Sequence, residues 1–231
     1  MNMIFQVSAR AWAGLQREPA ALRRAVMAPV LLWALVSVVP VSEHWLVSLS
    51  IGVIGVGAYV VLAVRVHRYL LMEPDQASAD SIGLYFIFGV FLVLGLLMLV
   101  LVSLVLKPLA ELGALISLPV MIGCMYAVAR LSLVLPDRAM GRSSSLVSVW
   151  SWSHRNGWKL FAVLFLPLLL CQIALGLLTF WMEPLPSNIA NNLLNIPITI
   201  FGVALLSQAY LELAGTAAEP VVGDVAEKDD P

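Results

Sequence analysis

Residues 145–160 read Ser145-Leu-Val-Ser-Val-Trp150-Ser-Trp-Ser-His-Arg155-Asn-Gly-Trp-Lys-Leu160, and an apolar run continues through Pro167 to Leu170. This order predicts a short amphipathic helix feeding directly into a transmembrane helix. The N-terminus holds a second copy. Shifted by 138 positions, Trp12 falls on Trp150, Arg17 on Arg155, Leu22 on Leu160, Pro29 on Pro167, and Leu31 and Leu32 on Leu169 and Leu170. Leucine coincidences are common in an apolar chain, so the Trp, Arg and Pro carry the comparison. Membrane topology and the chemistry of one membrane face follow from these two stretches. A specific activity does not.

Composition agrees. The chain has 231 residues, 61% hydrophobic and 12% charged, with mean hydropathy +0.95. A soluble domain carries roughly 25% charged residues. The segments between apolar runs are too short to build a folded core. Cys124 and Cys171 lie inside apolar runs and read as packing residues rather than a disulfide or metal pair. Four arginines (Arg10, Arg17, Arg23 and Arg24) precede or open the first apolar run, and no clear cleavage site follows it. That is the pattern of a retained anchor, not of a removable signal peptide.

Taken in order, residues 3–23 predict an amphipathic helix. Phe5, Ser8, Trp12 and Leu15 fall on one side of a helical wheel and Gln6, Arg10 and Arg17 on the other. Pro19 should break or restart it. The alternative is a helix packed on its own bundle. Six apolar spans follow at 25–42, 45–64, 82–106, 112–135, 159–182 and 189–211, against the roughly 20 residues needed to cross hydrocarbon. The second amphipathic helix occupies 145–157. Residues 212–231 carry six acids against Lys228 and should form a disordered acidic tail. The predicted fold is thus all-α: a polytopic membrane protein with six transmembrane helices, two interfacial amphipathic helices and a parallel internal repeat.

Orientation follows from the cations. With six spans, twelve of the thirteen Lys and Arg residues fall on one side and Lys107 alone on the other. The positive-inside rule makes the crowded side, and both termini, cytoplasmic. The outer loops are then only a few residues long and poorly suited to capturing large external ligands.

The segment ending Arg17-Glu-Pro19, the run Arg65-Val-His-Arg-Tyr-Leu-Leu, the run Arg130-Leu-Ser-Leu-Val-Leu-Pro136, and Trp150 through Asn156-Gly-Trp158 resemble the YciC-like bacterial inner-membrane proteins. These are in turn similar to the membrane domain beside some glycerophosphodiester phosphodiesterases. The resemblance covers nearly the whole chain and implies a six-helix inner-membrane protein. It implies no catalytic site, because that enzyme's chemistry sits in a separate soluble barrel.

The candidate binding residues are Trp12, Arg17, Arg65, Arg68, Arg130, Trp150, Arg155 and Trp158, which would hold an anionic lipid or a partner membrane complex. Arg65 and Arg130 stand near the inner ends of spans, where an arginine either snorkels to lipid phosphate or clamps an anionic headgroup between helices. Asn188, Asn191, Asn192 and Asn195 recur at helical spacing and predict an interhelical hydrogen-bonding stripe or a polar pocket. His67 and His154 read as cytoplasmic and His44 as periplasmic, with no Cys or carboxylate at ligand spacing, so no metal, haem or other cofactor is expected. The pairs Ser48 and Gly52, Gly113 and Ser117, and Gly123 and Ala127 predict close helix contacts. No phosphate loop, zinc motif, nucleophile elbow or nucleic-acid signature is present. The expected function is a non-catalytic inner-membrane protein that organises lipid or stabilises a partner complex through its basic face. A small transporter or channel subunit is the alternative, and a lipid-modifying enzyme ranks last for want of acid–base groups at membrane depth.

Overall fold

The computed structural model describes residues 2–39, 44–72, 82–111, 114–142, 145–154, 156–181 and 187–217. Among the described residues there are nine α-helices and no strand: α1 (Asn2–Gln16), α2 (Pro19–Val38), α3 (Trp45–Leu71), α4 (Ile82–Glu111), α5 (Ala114–Leu131), α6 (Val134–Ala139), α7 (Leu146–Trp152), α8 (Gly157–Trp181) and α9 (Ser187–Ala217). Five segments are long and apolar enough to cross a membrane: α2, α3, α5 continued into α6, α8 and α9. The chain is therefore a multi-pass membrane protein. In α4 the described apolar stretch is Ile82–Gly95, while the helix itself continues to Glu111, past Lys107 and Pro108.

Local chemistry sets the breaks. Pro19 opens α2, where a missing N–H has no intrahelical partner to lose, so the first helix restarts after Arg17-Glu18. Ser145 caps α7: its Oγ accepts from the Ser148 N–H at 3.1 Å. Val134–Ala139 form the separate helix α6, which the apolar run alone does not reveal. The acidic segment begins inside α9, which runs to Ala217; residues 218–231 lie outside the described part.

The long helices close into a ring. Neighbours follow the order α2, α3, α4, α5, α8, α9, with α9 returning to α2, and α3 also meets α9 across the interior. α1 lies on α9 and α8, α6 on α4, α3 and α9, and α7 on α5 and α9. These added elements gather at the end of the ring formed by the start of α2, the end of α3 and the end of α9. The arginine-bearing segments meet there, and we call it the basic end. The buried core sits there too, including Val64 and Val66 of α3, Leu160 and Val163 of α8, Leu133, and Ala204, Leu205 and Ala209 of α9. Toward the other end the large apolar side chains are exposed, among them Leu49, Val53, Leu97, Leu118, Leu170 and Leu177. Hydrocarbon, not water, is the solvent such surfaces require.

Two expectations change. On α1 the packed stripe is Val7, Ala11 and Leu15, while Phe5 and Trp12 are exposed at 69% and 57%. The small Ala11 lets α1 settle closely on α9, so the helix is packed on its own bundle and still turns two aromatics outward. The proposed small-residue contacts at Gly52 and Gly123 do not form among the described residues, for a Cβ added at either meets nothing there within 4 Å. Gly113 lies outside the described residues.

Candidate functional site

α3 organises the basic end by presenting two different faces. Arg65, Arg68, Tyr69 and Met72 recur at three- and four-residue spacing and face one way; Tyr59, Ala63 and His67 recur every fourth residue and face another. Each face lines its own cavity.

The first cavity is a cleft of about 540 Å³ between the α1–α2 corner, the end of α3 and Gln208 of α9. Among the described residues its cations are Arg17, Arg24, Arg65 and Arg68, and its one acid is Glu18. The walls are fixed by specific contacts. Arg65 Nη1 donates to the Ala25 carbonyl at 3.1 Å, tying α3 to α2. Tyr69 Oη accepts from the Glu18 N–H at 3.0 Å and donates to the Glu18 carbonyl at 3.3 Å, pinning the corner that carries Arg17. Gly14 permits the close approach of α1: a Cβ there would stand 2.9 Å from Leu70 Cδ2. Arg68 is buried, at 4% exposure. Four guanidinium groups around one opening make a receptor for phosphate or carboxylate oxygens, which arginine's planar fork binds in pairs. Tyr69→Phe should loosen the corner by about 0.5–1 kcal/mol, read as roughly two- to fivefold faster amide exchange at Glu18, with an unchanged rate counting against the pin.

Of the remaining sequence candidates, Arg130, Trp150 and Trp158 form a second group. Arg130 is buried, at 3% exposure. Its Nε donates to Ser153 Oγ at 2.8 Å and its Nη2 to the Trp150 carbonyl, while the guanidinium carbon lies 3.6 Å from the Trp150 ring centroid. Tyr126 packs on Trp158 with centroids 4.6 Å apart. This group joins α5, α7 and the start of α8. A Cβ on Gly157 would run into the Tyr126 hydroxyl and ring, so Gly157→Val must push Tyr126 off Trp158. Overpacking of that kind costs about 1–3 kcal/mol, and a lowered thermal midpoint of the purified protein is the expected result.

Elsewhere at this end, Tyr210 Oη donates to Asp137 Oδ1 at 2.9 Å and accepts from Arg142 Nη1 at 3.2 Å, fastening α6 to α9. Arg10 pairs with Glu212 at 2.7 Å in a largely exposed bridge worth roughly 0–1 kcal/mol. Trp12 is apart from the cleft, edge-on to Phe201 at 6.5 Å. Arg155 lies outside the described residues, as do the side chains of Asn188, Asn191 and Asn192. Asn195 Oδ1 accepts from Gln172 Nε2 at 2.8 Å, an interhelical bond between α8 and α9.

The structure thus brings Arg17, Arg65 and Arg68 together, adds Arg24, and sets Arg130, Trp150 and Trp158 in a different place. Arg24 was visible as an inner-side cation; only the turn of α2 after Pro19 puts it opposite Arg65. His67 does not reach solvent. It is buried at 1% exposure, with Nδ1 2.7 Å from Ser207 Oγ and its ring 5.9 Å from that of Phe88. Among the described residues, no cluster of three or more His, Cys, Asp or Glu could hold a metal ion. Comparison with protein-family models, curated proteins and solved structures finds no match to this chain.

Proposed function

We propose that the chain is a non-catalytic bacterial inner-membrane protein that holds anionic lipid, and through it organises a lipid patch or a partner membrane complex, at a basic cytoplasmic face. The observation that carries this reading is the arginine-lined cleft: four cations, from α2, α3 and the corner between α1 and α2, converge on one opening at the basic end. An anionic leaflet attracts each such residue by about 1 kcal/mol.

The topology belongs to the same proposal. α4, at 30 residues and roughly 45 Å, supplies a sixth span. Both termini then lie with the basic end in the cytoplasm, and α1 and α7 act as interfacial amphipathic helices. The helix starts support a parallel repeat: α2 begins at Pro19 and α8 at Gly157, 138 positions apart, with Pro29 and Pro167 at the same place in each. The YciC-like resemblance fits this arrangement. The transporter reading ranks second because Val64, Leu160, Val163 and Leu205 pack the basic end of the ring. To test the lipid reading, the full chain is extracted in nanodiscs of mixed phosphatidylglycerol and phosphatidylethanolamine and the annular lipid measured. Enrichment of the anionic lipid is expected, and a bulk-like ratio overturns the reading.

A further inference from the structure

The second cavity, about 340 Å³, runs inside the ring on the His67 face of α3. That volume is at the low end of the roughly 300–1,000 Å³ typical of small-molecule sites. From His67 to Tyr59 it follows two turns of α3, about 12 Å of helix. Leu164, Leu168 and Gln172 of α8 mark the same progression, as do Leu206, Val203 and Thr199 of α9. The middle of this shaft is apolar. One end holds His67, the other the Gln172–Asn195 amide pair. Among the described residues, no Asp, Glu, Lys or Arg lines it.

The hydrogen bonds at the His67 end set the tautomer. Ser207 Oγ lies 2.9 Å from the Val203 carbonyl, which can only accept, so the one serine proton goes there. Satisfying the 2.7 Å contact to His67 then requires Nδ1–H to donate into Ser207. Nε2 of the neutral ring is left as a bare acceptor with no partner among the described residues. An acceptor at one end of a mostly apolar shaft with no charged residue in its described lining selects a molecule with one donor and one apolar chain.

We propose that this shaft binds a single-chain amphiphile whose uncharged head, a hydroxyl or a protonated carboxyl group, donates a hydrogen bond to Nε2 of His67 while the chain fills the space toward Thr199 and Gln172. The proposal goes beyond the lipid reading of the arginine cleft, which takes charged heads on the opposite face of α3. His67 and the cleft arginines share one helical turn, so the head sits level with the inner-leaflet headgroups and the chain points to the bilayer centre. That depth argument rests on the proposed topology; the hydrogen-bond argument does not.

The test uses the full chain in phosphatidylcholine nanodiscs with a diazirine-bearing dodecanol, cross-links being mapped by mass spectrometry. Saturable labelling of the α8 and α9 segments around Leu168 and Val203 is expected, competed by plain dodecanol. His67→Phe should weaken it about tenfold, as loss of one buried hydrogen bond does. Thr199→Trp, which blocks the shaft without touching His67, should weaken it similarly while leaving anionic-lipid retention intact, so a folded protein is assured. Labelling that is non-saturable, is unchanged in both variants, or is matched by an ammonium-headed probe of the same chain length overturns the proposal. The carboxylic acid analogue separates the two sources: labelling only below the acid's own pKa admits the fatty acid, and absence at every pH restricts the site to hydroxyl heads.

Discussion

Arg130→Met should unfasten α7 from α5. The guanidinium holds the short helix in three ways at once: through Ser153 Oγ, through the Trp150 carbonyl and through the Trp150 ring. A desolvated cation over an aromatic face contributes about 2 kcal/mol and a hydrogen bond from a charged group about 1.5–3 kcal/mol. Releasing a buried charge works in the opposite direction, and methionine fills much of the volume, so the net is well below the sum. We expect a local loss of about 2 kcal/mol, roughly a 30-fold rise in amide exchange across residues 146–153. Arg130→Lys should recover little, because an ammonium cannot lie on the ring and donate along two directions together. Exchange at the rate of the unchanged protein would show that α7 is seated by Val149 packing alone, and the binding candidates Trp150 and Trp158 would then need another scaffold.

How much of this was legible beforehand differs from residue to residue. Five candidate spans and the helix restart at Pro19 follow from hydropathy and proline chemistry, which act locally. α1 shows where pattern stops. Its sequence shows one apolar side through Phe5, Trp12 and Leu15, but the face that packs on the bundle runs through Val7, Ala11 and Leu15, which the larger aromatics overshadow. Alanine wins because close approach to α9 matters more than area. α3 shows the same in another form. Arg65 makes the helix look finished at the membrane surface, yet Val66 and His67 stay buried because α4, α6 and α9 pack against this part of α3. The four-residue spacing of Tyr59, Ala63 and His67 was the available signal. It could mark a face, but nothing in the chain says that a cavity stands opposite it. The arginine cleft is legible only in part for the same reason: its members come from segments more than forty residues apart, and only the fold of α2 against α3 aligns Arg24 with Arg65.

Replacing Arg17, Arg24 and Arg65 together by glutamine should weaken retention of anionic lipid by roughly 150-fold. The figure is three guanidinium–headgroup hydrogen bonds at about 1 kcal/mol each, converted at 1.4 kcal/mol per tenfold. Arg68 is left in place because it is buried, so its removal would confound binding with folding. Salt separates two contributions: exposed Arg17 and Arg24 act mainly through a screened field, whereas Arg65, held on the Ala25 carbonyl, keeps a fixed direction. Raising ionic strength should therefore shrink the difference between the triple variant and the parent without abolishing it. The discriminating comparison removes as many cations outside the cleft, at Arg10, Arg23 and Lys159. A diffuse basic surface loses the same affinity in either case, since each charge counts alike wherever it stands. A built site does not: the outer triple should fall only a few-fold while the cleft triple falls by two orders of magnitude. Equal losses would reduce the cleft to a dent in a positively charged face, and the stoichiometric binding of one headgroup between α2 and α3 would have to be given up.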